Sequence, residues 1–205
     1  GWVSFLNIRF LNDEKQVGQV DFDPDAPDAI RGFGNANSFT GNEIWGSEID
    51  TRRFDSSLKL GYVFPELPFQ SFGFQTSYSS HNQDSYFGLN RYDIDHESVY
   101  SNLIFNSIIG DTRSKFKTGL TFAFDGYDEL VNAANYARED ISAGAFFEYN
   151  YENLEKLSFT AGLRVDTHNR LGNFVTPRLH ARYTPWDRGS LRASFGRGRR
   201  AANIF

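Results

Sequence analysis

The chain has 205 residues with no Cys and no Met, which excludes a disulfide framework, a thiolate metal site and a cysteine nucleophile. A net charge of −5 and a pI near 5.4 argue against nucleic acid as a partner. Mean hydropathy is −0.50 although 21 residues are Phe, so the Phe are dispersed among polar residues, and no run approaches the roughly 18 apolar residues of a membrane helix.

An opening strand is expected over residues 3–11, then a long polar stretch over 12–46. That stretch holds Asp21, Asp23, Asp25 and Asp28. Oxygen-rich loops can hold Ca²⁺, but Pro24 and Pro27 interrupt the cluster and no EF-hand spacing is present. A solvated loop is the favoured reading, and no cofactor is expected.

The strongest alternation covers residues 54–64. Phe54, Leu58, Leu60, Tyr62 and Phe64 share one parity, while Arg53, Asp55 and Lys59 share the other. Strands with the same signature follow near 71–78, 98–106, 115–125, 142–149, 157–166, 178–183 and 191–195. With the opening strand, about nine are expected. Short connections are expected at 65–68, 110–113, 152–155 and 186–189. Long ones are expected at 82–95 and 126–138, with a moderate one near 169–173. Parity agrees across the turns: Phe105 opposite Thr118 keeps one face, as does Tyr183 opposite Leu191. A loop centred on Gly172 would set Arg164 opposite His180.

Alternation alone fits a soluble sandwich as well as a membrane barrel. Consecutive hairpins of about ten residues per strand, enough to cross a bilayer when tilted, favour the barrel. So does the alternation of short and long connections. The fold class is therefore all-β, an antiparallel up-and-down transmembrane β-barrel. Natural bacterial barrels have an even strand number, so about nine strands make an open piece of a larger wall. The start inside a strand, without initiator Met or signal peptide, carries the same expectation of an internal fragment.

The later motifs resemble a known family. They are Gly162-Leu163-Arg164-Val165-Asp166, Thr176-Pro177-Arg178, and the run Gly196-Arg197-Gly198 with Arg200 and Asn203, preceded by the turn Gly61-Tyr62-Val63-Phe64-Pro65-Glu66. In this order they resemble the barrel of Bacteroidetes-type TonB-dependent receptors. The resemblance implies that residues 1–205 are a partial barrel domain of about 22 strands with a plugged lumen. It also implies a bacterial outer-membrane location, energised import of a scarce nutrient (siderophore or metal chelate, cobalamin, or glycan), and partnership with lipid, a plug domain and the TonB complex. A passive porin and a soluble β-sheet binding protein are the alternatives.

Candidate site residues follow from parity. Arg53, Asp55, Lys59, Arg164, Asp166, Arg178, His180, Arg182 and Arg192 are expected to face the lumen. A cross-strand ion-pair lattice is the favoured reading, with Asp166 and Glu148 as partners. A basic lining for an anionic substrate is the sharper one. Tyr86, Phe87, Arg91 and Tyr92 are expected in an outer loop, where they could grip a ligand. His81, His96, His168 and His180 show no metal-ligand spacing. No G-x-S-x-G is present, and no enzyme is expected.

Overall fold

The computed structural model describes residues 1–20, 22–23, 25, 45–153, 156–186 and 188–199. Asp21, Asp28, Glu155, Asp187, Arg200 and Asn203 lie outside the described residues. The elements are β1 (Trp2–Gly18), β2 (Gly46–Val63), β3 (Ser71–Phe87), β4 (Asn90–Ile109), β5 (Asp111–Val131), β6 (Ala134–Asn153), β7 (Leu157–His168), β8 (Gly172–Trp186) and β9 (Gly189–Gly196). They form one nine-stranded sheet in sequence order, every pair antiparallel. This is the open up-and-down arrangement expected from the hairpin pattern.

Directly opposed residues lie on the same face, so the register sorts every side chain. One row across β2 to β8 reads Leu60, Phe74, Leu103, Leu120, Ala145, Val165 and Val175. All seven are apolar. The row on the opposite face, one residue along, reads Lys59, Gln75, Asn102, Thr121, Gly144, Asp166 and Phe174. Some hydroxyls on the apolar face are satisfied within the sheet. Thr76 Oγ1 lies 2.9 Å from Ser101 Oγ, and Thr118 donates to the Phe146 carbonyl at 2.9 Å. Such pairing removes the cost of placing a polar atom against an apolar medium.

No second layer covers the apolar face among the described residues. Leu120 is 59 % exposed and Leu6 64 %, and among the described residues Tyr86 alone forms the buried hydrophobic set. A soluble sandwich would bury this face. Instead an aromatic ladder runs along it beside the short turns. Ring centroids are 4.9 Å apart for Trp2 and Tyr62, 4.7 Å for Phe72 and Phe105, and 5.9 Å for Phe116 and Phe147. Tyr149 and Tyr151 both meet Phe159 at 5.7 Å.

Three expectations need correction. The stretches 82–95 and 126–138 are arms of long hairpins rather than loops. β3 and β4 pair up to Phe87 opposite Asn90, and β5 and β6 up to Val131 opposite Ala134. Each tip is a two-residue turn whose first residue has positive φ, Gly88 at 61° and Asn132 at 56°, as primed hairpin turns require. Strands β4 to β6 therefore run 20 or 21 residues, roughly 65–70 Å of chain, well beyond a bilayer's ~30 Å core. Likewise β1 continues to Gly18, opposite Gly46, inside the stretch expected to be irregular. The asymmetry between the two ends is thus carried by strand overrun. Finally, the β7–β8 hairpin sets His168 opposite Gly172, so Arg164 faces Thr176 and His180 faces Thr160. The slip from the expected register is an even number of residues, so faces are preserved. Its cause is local: His168 Nδ1 accepts the backbone N–H of Arg170 at 3.1 Å and of Leu171 at 3.3 Å, and Gly172 takes φ 69°.

Candidate functional site: the polar face of the sheet

Two hollows, of about 470 and 460 Å³, open on the polar face. Asp125, Asp140, Arg164, Asp166 and Phe174, from four strands, line the first. Lys115, Lys117 and Asn150 line the second. All nine residues expected on one wall do share this face: Arg53, Asp55 and Lys59 on β2, Arg164 and Asp166 on β7, Arg178, His180 and Arg182 on β8, and Arg192 on β9.

The half of the face nearer the hairpin tips is an ion-pair lattice. Asp55 accepts from Arg9 at 2.8 Å, from Arg53 at 3.0 Å and from Ser79 at 2.7 Å. Arg164 lies 2.7 Å from Asp166, which is 5 % exposed, and donates to Thr121 Oγ1 at 2.7 Å. Asp140 takes Arg138 at 3.3 Å and Arg170 at 3.2 Å. Between the acidic residues lies a planar stack. His96 and Tyr127 are 4.2 Å apart at 9°, and the Arg138 guanidinium carbon sits 4.1 Å from the centre of the Tyr127 ring. His96 Nε2 lies 3.3 Å from Asp125. Cations over aromatic faces and paired carboxylates hold one another in place. The arrangement stiffens this wall and offers planar and hydrogen-bonding surfaces to whatever enters the hollow.

Arg9, Asp125, Tyr127, Arg138 and Asp140 were missed by sequence reasoning. Arg9 needed the exact β1–β2 register. Tyr127 and Arg138 lay in a stretch read as loop, although their parity with Asp125 and Asp140 carries the strand signal. Of the two carboxylates expected to neutralise arginines, Asp166 does so; Glu148 instead accepts from Asn150 at 3.1 Å.

The other half of the face differs. Arg178, His180, Arg182 and Arg192 are exposed and have no ion pair or side-chain hydrogen bond among the described residues. Lys59 stands 5.9 Å from the Phe5 ring.

Tyr86, Phe87, Arg91 and Tyr92 sit at the β3–β4 hairpin tip, in paired strands. Tyr86 is buried, while Phe87 is 40 % exposed. Arg91 pairs with Asp93, and Tyr92 donates to Glu129 at 3.2 Å. The tip is bound to β5 through Asn132, whose side chain accepts the Arg91 N–H at 2.9 Å. In the acidic stretch, the Asp25 N–H donates to Asp23 at 3.0 Å, a local turn. No group of three or more acidic or histidine side chains is placed to hold a metal ion among the described residues.

Comparison with known proteins agrees with this architecture. The family described as TonB dependent receptor-like, beta-barrel matches residues 2–205. Among solved structures, the siderophore receptor PirA from Pseudomonas aeruginosa aligns with a TM-score of 0.60 at 16 % identity, over 78 % of this chain and 31 % of that one. The alcaligin outer membrane receptor FauA from Bordetella pertussis aligns with a TM-score of 0.59 at 14 % identity, over 75 % of this chain and 32 % of that one. At these identities the likeness is one of fold. The chain spans about a third of the length of the solved structures it matches. No curated protein matches it.

Proposed function

Since the chain belongs to the TonB-dependent receptor-like β-barrel family, we propose that it forms wall strands of a bacterial outer-membrane receptor that imports a scarce nutrient by energised transport. Residues 1–205 are then a partial barrel domain, completed by further strands and a plug. The apolar face meets acyl chains. The polar face lines the lumen, with Arg53, Asp55, Lys59, Arg164, Asp166, Arg178, His180, Arg182 and Arg192 on it. The hairpin tips, with Tyr86, Phe87, Arg91 and Tyr92, stand outside the cell where a nutrient is first met. The plug couples the wall to the TonB complex.

The observation that carries this reading is the uncovered apolar face backed by a charged polar face: the reverse of a water-soluble sheet, and the requirement of a water-filled barrel in lipid. One of the aligned solved structures is named as a siderophore receptor and the other as an alcaligin receptor, which makes a ferric chelate the first substrate to try. The test is uptake of labelled ferric chelates, cobalamin and oligosaccharides by a strain deleted for the parent gene and by the complemented strain. Uptake restored by complementation and abolished by a protonophore supports the reading. Uptake that survives the protonophore identifies a passive channel and overturns it.

A further inference from the structure

The turn between β7 and β8 is closed by a side chain. His168 ends β7 on the polar face, and its ring lines the hollow of about 470 Å³. Its Nδ1 accepts the backbone N–H of Arg170 at 3.1 Å and of Leu171 at 3.3 Å. An imidazole accepts only while neutral, since the doubly protonated ring has two donors and no acceptor. Both turn amides therefore depend on Nδ1 staying without a proton. Residue 169 is held differently. The Asn169 N–H donates to the Ile141 carbonyl at 3.0 Å, its side-chain oxygen accepts the Ile141 N–H at 3.1 Å, and its side-chain amide donates to the Glu139 carbonyl at 2.8 Å. No group in these three bonds changes charge. One residue of the turn is strapped to β6, and the next two hang from one imidazole.

The charge around the ring is balanced. β5 presents Asp125 and Tyr127 to the hollow, β6 presents Asp140, and β7 presents Arg164 and Asp166. Arg170 stands in the turn itself, paired with Asp140, and Arg199 lines the hollow from beyond β9. β8 adds Phe174 and Thr176, neither of them charged. Three carboxylates thus meet three arginines, and two of the carboxylates, Asp140 and Asp166, already hold arginines of their own. What a second proton changes is the bonding. An N–H at Nδ1 would face two N–H donors, so the ring has to turn away and both amides lose their acceptor. Leu171 lines the same hollow, so freeing residues 170–171 alters its rim.

We propose that His168 is a pH-sensitive latch on the rim of this hollow. Neutral, it holds residues 170–171 in the closed turn; protonated, it releases them while Asn169 stays strapped to β6. Histidine is the side chain suited to this, because its charge changes near neutral pH. On the placement proposed above, the turn stands outside the cell and meets the pH of the surroundings. The outline of the hollow then differs between neutral and acid media. That consequence rests on the placement; the latch itself does not.

The test is hydrogen exchange of the full-length parent protein in detergent, read amide by amide at about pH 7.5 and about pH 5 and corrected for the intrinsic rate at each pH. Protection of the Arg170 and Leu171 amides should fall about tenfold at the lower pH, the loss of roughly one hydrogen bond each, while Asn169 and Ile141 keep theirs. His168→Asn supplies an acceptor that does not titrate, because an Asn side chain bonds the backbone two residues on. The Arg170 amide should then be equally protected at both pH values. His168→Ala should leave both amides fast at both. Four results overturn the latch: no change in the parent protein, a fall that extends to Asn169 and Ile141 and so reports general acid unfolding, a fall at Arg170 that persists in His168→Asn, or full protection in His168→Ala. The parent protein and His168→Asn decide the matter if His168→Ala does not fold. Exchange needs no ligand, so failure of the uptake assay above removes the transport reading and leaves the latch standing.

Discussion

At the level of single residues, burial separates charges that matter for stability from those that do not. Asp166 is 5 % exposed and holds Arg164, while Arg9 is 60 % exposed. Asp166→Ala leaves Arg164 without its carboxylate and is expected to cost about 1–3 kcal/mol, read as a lower urea midpoint for the barrel in detergent. Arg9→Ala should cost under ~1 kcal/mol in the same assay. Glycines on the polar face divide in a similar way. A Cβ at Gly119 would meet the Leu103 carbonyl oxygen at 2.1 Å and the Phe146 ring at 2.8 Å, whereas at Gly73 it would meet nothing within 4 Å. Gly119→Ala is expected to destabilise by about 1–3 kcal/mol. Gly73→Ala should be neutral or stabilising by roughly 0.5 kcal/mol. Equal effects at the two positions would mean that the β5–β6 packing described here is wrong.

At the level of the strand, one substitution separates the two faces. Leu120→Arg on the apolar face should cost about 2–4 kcal/mol, and Ile141→Arg, near its far edge, about 0–1 kcal/mol; folding into lipid vesicles measures both. Ser77→Arg, on the polar face, should fold like the parent. Alternation over 54–64 and 115–125 revealed these faces from sequence alone, because each substitution of neighbour for neighbour flips between two very different surroundings. The strand ends were hidden for the same physical reason. On the proposed membrane placement both faces meet water past Phe54 and Phe124, so the apolar parity gives way to residues such as Asp50, Arg52 and Asp128, and a paired strand resembles a loop. The hairpin tips left a fainter mark. Asn132 tolerates φ 56°, as Asn does more readily than most residues. Asn132→Val should cost about 1–3 kcal/mol through backbone strain, and Asn132→Gly little. The polar network was legible where partners stand two apart on one strand, as with Arg53 and Asp55 or Arg164 and Asp166. It was illegible where partners stand on different strands, as with Arg9 and Asp55 or Arg170 and Asp140, since only register brings those together.

For the whole molecule, the three tryptophans mark the two ends of the sheet, Trp2 and Trp186 at the short turns and Trp45 at the other. Trp2 is 77 % exposed on the apolar face and rests against Tyr62; Trp186 ends β8 beside a short turn; Trp45 precedes β2 at the opposite end. In vesicles containing brominated acyl chains, a single-tryptophan variant retaining Trp2 should be strongly quenched and one retaining Trp45 scarcely at all. Equal quenching would contradict the assigned membrane position. The sheet's connectivity has a separate consequence. Each strand bonds only to its neighbours in sequence. A gene duplication that copies one complete hairpin would therefore widen the pore and leave every older side chain pointing the way it did before. Copying a lone strand would reverse all that follows it. Evolution can thus change the circumference of such a wall only in steps of two.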